Sequence, residues 1–335
     1  MKIEELKKIK ELCFDKIYAK ALDKADLCVE FNNLKNGFYQ IVMSNRVDYA
    51  QLICDNKEDY PSFKIQWNDF EKIVQFFESG EIKLFFENQN IVVFRQRKNI
   101  FKCLQINTPA PHHQFKFDFE HAQLLSMDDC TILKDHKDLQ KFILNQNNLI
   151  SSDGFVCIVN TLNTDIGDNI LHFLEPFPKG KWFFNIQNNI IVSEDKTISC
   201  SYRLATGQYP LSALRQIMNQ YLNNCFECDS KVFKAALVKC SLADNGYRVK
   251  INFLSESIKI NTFEDKKAAC ECEITGKYLS PPKRKFLYFG RAYLKILLEA
   301  QTNGVVKLQF SDTESIYAMR AQNDKKNILA IGCII

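Results

Sequence analysis

The chain lacks any apolar run near the roughly 20 residues that cross a bilayer. No membrane partner is therefore expected. Its first residues, MKIEELKKIKEL, form a charged amphipathic pattern without the apolar centre of a signal peptide. That pattern points to the cytoplasm. A glycine-rich phosphate loop, a nucleophile elbow and an HExxH pair are all missing, and Asp153-Gly154 in SSDGFV reads as a turn between strands. Charge of one sign is missing too. With 44 basic and 40 acidic residues the net charge is +4, which excludes the strongly basic footprint of a tight nucleic-acid binder but permits local positive surfaces. Histidine is sparse. His112 and His113 sit among prolines, and His121, His136 and His172 stand apart. Cysteine is plentiful at 13 residues but badly spaced for chemistry. Cys225 and Cys228 form one CxxC, while Cys270 and Cys272 alternate along an expected strand, with no second CxxC or adjacent His to complete a four-ligand zinc site. Free thiols acting as small hydrophobes in a reducing compartment are expected. No catalytic residue, metal ligand or cofactor is assigned, with a thiol or metal enzyme on Cys225 and Cys228 as the competing reading.

The hydrophobic content of 46%, with 12% aromatic residues, can fill the cores of two or three domains. Three stretches repeat one plan, an amphipathic helix, a tight turn and two paired strands: residues 68 to 95, 167 to 193 and 290 to 320. Phe70, Ile73, Val74 and Phe77 recur at helical spacing, as do Ile170, Leu171 and Leu174, and Tyr293, Leu294, Leu297 and Leu298. Gly80, Gly180 and Gly304 mark the turns. A second helix is expected before each repeat, over Ile3 to Phe14, Phe119 to Met127 and Ser230 to Cys240. Prolines in NTPAPHHQ near residue 114, and Gly207 and Pro210 leading to a connection near 223, divide the chain into 1–114, 115–223 and 224–335. The expected class is α+β, three copies of one domain with two helices each on antiparallel sheets.

Three segments carry a specific resemblance. FLYFGRAYLKILLEAQTNGVVKLQF (286 to 310), SSDGFVCIV (151 to 159) and SYRLATGQYP (201 to 210) resemble, in order and spacing, signatures of the bacterial DNA polymerase III beta subunit, the ring-shaped sliding clamp. The resemblance implies a head-to-tail homodimer of six domains. Helices line a hole that holds double-stranded DNA, and the partners are a replicative polymerase, a clamp loader and other proteins carrying a clamp-binding peptide. Topological linkage would let weak, sequence-independent phosphate contacts slide without letting go.

Under that resemblance the solvent-facing cations of the helices become the lining of the hole: Lys7, Lys8 and Lys10, Lys72 beside Gln75, Lys231 and Lys234, and Arg291 and Lys295. Lys231 and Lys234 are read as opposing Val232, Phe233 and Leu237. An ordinary solvated face has the same appearance. The peptide groove implied between the second and third domains comprises Ser152, Gly154, Phe155, Val156, Cys157, Pro210, Arg215, Tyr247, Tyr293 and the end of the chain, Ile331, Gly332, Cys333, Ile334 and Ile335. This chain departs from the family there. Phe155 and Val156 replace a His-Arg pair, and Ile331 to Ile335 replace a Met-Pro-x-Arg-Leu ending, which makes the groove more apolar and fits a divergent, phage- or mobile-element-encoded clamp. Ring closure is implied between Arg95, Arg97, Lys98 and Phe101 on one edge and Glu271 and Glu273 on the other. Charged edges also serve simply to discourage aggregation. A clamp-like adaptor that binds peptides without encircling DNA is the alternative.

Overall fold

A computed structural model of the 335-residue chain describes residues 1–13, 27–44, 48–88, 90–106, 117–128, 130, 142–166, 170–173, 178–185, 187, 189–202, 211–243, 248–262, 270–280, 282–313 and 315–332. Contacts group the chain into two compact units, Met1–Asp128 with Phe177–Arg203, and Asp129–Pro176 with Leu204–Ile335. No helix among the described residues is long and apolar enough to cross a membrane.

The first unit holds an eight-stranded antiparallel sheet in the order Phe63–Gln66, Cys28–Asn33, Phe38–Ser44, Tyr49–Asp55, Ile198–Ser201, Ile190–Ser193, Lys181–Asn185 and Gln123–Ser126. A separate three-stranded sheet runs Lys83–Glu87, Ile91–Gln96, Asn99–Leu104. Two helices among the described residues serve this unit. Helix α1 (Ile3–Cys13) buries Ile3, Leu6, Ile9 and Leu12 on one face, as its period of three to four residues requires. Helix α2 (Trp67–Phe76) buries Trp67, Phe70, Ile73 and Val74. The turn after α2 ties the two together. The Ile3 amide donates to the Gly80 carbonyl (3.0 Å), and the Gly80 amide donates to Glu4 Oε1 (2.8 Å). The Glu4 carboxyl is held below its usual range chiefly by that amide.

The second unit holds nine antiparallel strands in the order Ile170–Phe173, Phe142–Asn145, Asn148–Ser152, Val156–Thr161, Lys326–Ile331, Ala318–Gln322, Val305–Phe310, Asn224–Asp229 and Lys277–Tyr278. A four-stranded sheet runs Glu271–Thr275, Ser257–Thr262, Arg248–Phe253, Phe286–Gly290. Helix α3 (Leu211–Met218) lies against the first of these sheets. Helix α4 (Ser230–Ala243) and helix α5 (Arg291–Leu297), which continues as a short 3-10 turn, share a core with both sheets: Phe233, Leu237, Ile260, Phe289, Leu294, Phe310 and Ile328 are at most 1% exposed. Truncating a ring such as Phe233 to Ala would cost about 3 to 5 kcal/mol, as lost burial of the ring plus the cavity it leaves.

The repeated plan holds in two of its three copies. After α2 and after α5 the chain turns and forms paired strands, and Gly80 (φ +88°) and Gly304 (φ +80°) take the left-handed conformation at those turns, which a Cβ disfavours. The middle copy differs. Its expected helix around Ile170, Leu171 and Leu174 is, over Ile170–Phe173, a strand paired with Phe142–Asn145; Leu174 lies outside the described residues. A four-residue apolar run cannot fix its own period, and pairing with a neighbouring strand decides. The expected helix Phe119 to Met127 is likewise a turn followed by the strand Gln123–Ser126 on Lys181–Phe184. Leu125 is buried and Leu124 exposed, the alternation of a strand. Conversely α3, which follows directly on Pro210, was not expected.

Candidate DNA and peptide interfaces

The cations expected to line a hole fall into two sets with different surroundings. In the first unit Lys10 pairs with Glu71 of α2 (3.2 Å), Lys72 pairs with Asp69 one turn back (3.5 Å), and Lys7 Nζ donates to the Glu78 carbonyl (2.5 Å). Lys8 is exposed. Three of the four thus already help hold α1 and α2. In the second unit Lys231, Lys234 and Lys295 are exposed, with no ion pair among the described residues, and Arg291 is half-buried. The expectation that Val232 lies on the inward face of α4 is overturned. Val232 is 49% exposed, because only Phe233, Ala236, Leu237 and Cys240 fit the stripe facing the sheets.

The peptide-groove candidates centre on the turn Ser152 to Val156. The Asp153 carboxylate accepts from the Phe155 and Val156 amides (2.8 and 2.7 Å), Ser152 Oγ accepts from the Gly154 amide (3.2 Å), and Gly154 takes φ +88°. This turn pushes Phe155 outward. It is 54% exposed and stacks on Tyr293 of α5, with ring centroids 5.9 Å apart and planes 13° apart. Beside it the Ile331 amide donates to the Phe155 carbonyl (2.7 Å), and Val156 and Cys157 pair with Ala330 and Leu329. Val156 and Cys157 are buried, facing opposite sides of their strand, so they support this surface without presenting it. Burial pushes the Cys157 thiol up to about 12 and leaves it a neutral packing group. Gly332 comes so close to the Tyr288 carbonyl that a Cβ would lie 2.6 Å from it.

Helix α3 flanks a second apolar surface. Leu211, Leu214 and Ile217 lean half-buried on a cluster of Ile143, Ile150, Cys157, Ala318 and Leu329. Arg215 reaches Asn145 Oδ1 (2.5 Å). A residue absent from the sequence reading fixes the helix end: the Arg320 guanidinium donates to the Met218 and Gln220 carbonyls, the latter at 3.0 Å, a cation on the negative end of a helix. Its burial lowers its proton affinity. Nothing in local spacing could connect a strand arginine to a helix about 100 residues earlier. Pro210, Tyr247, Cys333, Ile334 and Ile335 lie outside the described residues.

Two sheet edges were expected to meet in a ring. Asn99–Leu104 is the outer strand of its three-stranded sheet, and Ile100 (46%) and Leu104 (68%) are exposed along it, with Phe101 half-buried against Phe76 (5.8 Å). Arg97 and Lys98 are exposed in the turn before it, and Arg95 is exposed on the neighbouring strand opposite Ile100. Glu271–Thr275 is the outer strand of the four-stranded sheet. Its acids are already engaged: Glu271 accepts from Lys259 (3.3 Å) and Asn261 (2.7 Å), and Glu273 accepts from Ser257 (2.5 Å).

No family model matches the chain, and no curated protein does. Solved structures do match. The DNA polymerase III beta subunit of Thermotoga maritima superposes with a TM-score of 0.80 at 11% identity, covering 100% of this chain and 98% of the other. A DNA polymerase III subunit beta of Borrelia burgdorferi, solved with a natural product, gives 0.76 at 14% identity over 99% and 97%, and the sliding clamp of Bacillus subtilis gives 0.74 at 13% over 99% and 97%. From end to end, the chain has the fold of the DNA polymerase sliding clamps.

Proposed function

We propose that this protein is a DNA sliding clamp, a non-enzymatic processivity factor that encircles duplex DNA as a head-to-tail homodimer and holds a replicative polymerase on its template. The observation that carries the reading is the end-to-end match to clamp structures over 100% of this chain and 98% of the first relative. In this reading the chain comprises three domains, 1–114, 115–223 and 224–335, and works in the cytoplasm. DNA contacts come from the helix cations, above all Lys231, Lys234 and Lys295, whose side chains point to solvent. Such contacts are weak singly and independent of sequence, which suits sliding. Ring closure joins the apolar edge Asn99–Leu104 of one protomer to the strand Glu271–Thr275 of the next.

Partner peptides, from the polymerase, the clamp loader or other replication proteins, dock on the exposed Phe155–Tyr293 stack and the α3 surface. The lack of a His-Arg pair at Phe155 and Val156 favours peptides whose affinity comes from aromatic or aliphatic anchors rather than acidic residues. The adaptor alternative predicts a monomer. Light scattering on purified protein should give twice the chain mass of 39.0 kDa; a monomer at micromolar concentration and low salt would favour the adaptor.

A further inference from the structure

Three thiols distant in sequence meet in the second unit. Cys240 lies in the last turns of α4 and is fully buried, whereas Cys270 and Cys272 enter and begin the strand Glu271–Thr275 and are half-buried. The Sγ atoms of Cys270 and Cys272 are 3.6 Å apart, those of Cys240 and Cys270 are 3.8 Å apart, and all three lie within 4.8 Å of one another. Thiolates sharing a tetrahedral zinc ion at about 2.3 Å stand about 3.8 Å from each other. The spacing therefore already matches two edges of a metal site.

The surroundings fix these positions from three sides. The Cys270 amide donates to Thr262 Oγ1 (3.0 Å), the Thr262 amide donates back to the Cys270 carbonyl (3.1 Å), and Cys272 is in register with Ile260. Cys270, Cys272 and Ile274 share one face of the strand, with Glu271 and Glu273 on the other. A disulfide suits the group less well. Alternate residues of a strand stand about 6.6 Å apart, near the upper limit for a bridge, and any one bridge would strand the third sulfur.

From this geometry we infer that Cys240, Cys270 and Cys272 form a three-thiolate site for a thiophilic d10 metal ion of the Zn(II) class, with no fourth protein ligand among the described residues and that position left to an exchangeable ligand. Three protein ligands plus one exchangeable ligand is an ordinary zinc arrangement, and sulfur donors select soft ions. The partial exposure of Cys270 and Cys272 supplies the path of entry. The site lies on one unit and does not require the clamp reading, although it adjoins the strand Glu271–Thr275 proposed for ring closure. The absence of a second CxxC does not bear on it, because its first ligand comes from a helix 30 residues upstream.

The test uses full-length protein, reduced, stripped of metal by chelation and titrated anaerobically with Co(II), then Zn(II). One equivalent of Co(II) should produce a near-ultraviolet thiolate-to-cobalt charge-transfer band that Zn(II) abolishes. Cys272→Ser, at a half-exposed position, should weaken Co(II) binding by well over the roughly tenfold that even an outer-shell change brings, while Cys225→Ser should leave it unchanged. Zn(II) should raise the melting temperature of the parent protein but not of Cys272→Ser, since binding to the folded state stabilises it. A folded, reduced protein with no such band, or a band that survives Cys272→Ser, would overturn the site. So would rapid disulfide formation among the three cysteines with Zn(II) present.

Discussion

The two units use their polar groups in opposite ways. In the first, lysines of α1 and α2 are tied internally, Lys10 to Glu71, Lys72 to Asp69 and Lys7 to the Glu78 carbonyl, while the sheet edge Asn99–Leu104 leaves Ile100 and Leu104 in solvent. In the second, the edge acids are tied internally, Glu271 to Lys259 and Asn261 and Glu273 to Ser257, while Lys231, Lys234 and Lys295 of α4 and α5 are exposed. A cation paired within its own unit must first give up that pair, at a cost of under about 1 kcal/mol, before it serves an external partner. In the proposed clamp, this contrast places closure mainly on the apolar edge of the first unit and phosphate contact mainly on the helices of the second.

The sharpest way to break this assignment is at the apolar edge. Leu104→Asp would bury a charge in the proposed interface and should weaken dimerisation by about 3 kcal/mol, on the order of a hundredfold in Kd, with the melting temperature of the monomer unchanged because Leu104 is exposed. Arg97→Glu should do much less, since the acids proposed to face it, Glu271 and Glu273, are engaged within their own unit. Sedimentation equilibrium on both variants decides; equal effects would restore charge pairing as the closing force.

The exposed aromatic pair comes next. Phe155→Ala should cost a bound peptide about 2 kcal/mol, roughly thirtyfold in Kd by calorimetry, with no change in dimerisation. Unchanged affinity would move the docking surface to α3.

Removing Lys231 and Lys234 together should then weaken DNA retention on the order of tenfold and lower the slope of log K against log salt by about 2, one per lost phosphate contact. The matched change of Lys10 and Lys72 should move that slope by much less. A reversed ranking would mean that the first unit's ion pairs open on DNA. Smallest of all, Lys10→Ala should destabilise the first unit by under about 1 kcal/mol in urea unfolding, as a half-solvated ion pair does.

Much of this was legible in the sequence, unevenly. Long periodic helices were readable because burial dictates their stripe: α1, α2 and α4 lie where Ile3, Phe70 and Phe233 required. Short apolar runs were not, and Ile170–Phe173 and Gln123–Ser126 became strands because partners far along the chain paired with them. The Asp153-Gly154 turn was visible from residue type alone, whereas Phe155 was placed at a surface only by the resemblance. Which lysines are paired was not. The acids that engage Lys10 and Lys259 lie 61 and 12 residues away, and only the packing of helix on helix and strand on strand brings them within reach. Arg320 on the end of α3 and Cys240 beside Cys270 were hidden for the same reason.

Topology is the central claim, and it can be measured directly. The protein, loaded on nicked circular DNA and separated from free protein by gel filtration at moderate salt, is followed before and after a restriction enzyme cuts the circle once. A clamp stays with the circle and runs off the ends once it is cut. Equal retention on circular and linear DNA would mean that the protein grips DNA without encircling it, and would contradict the account.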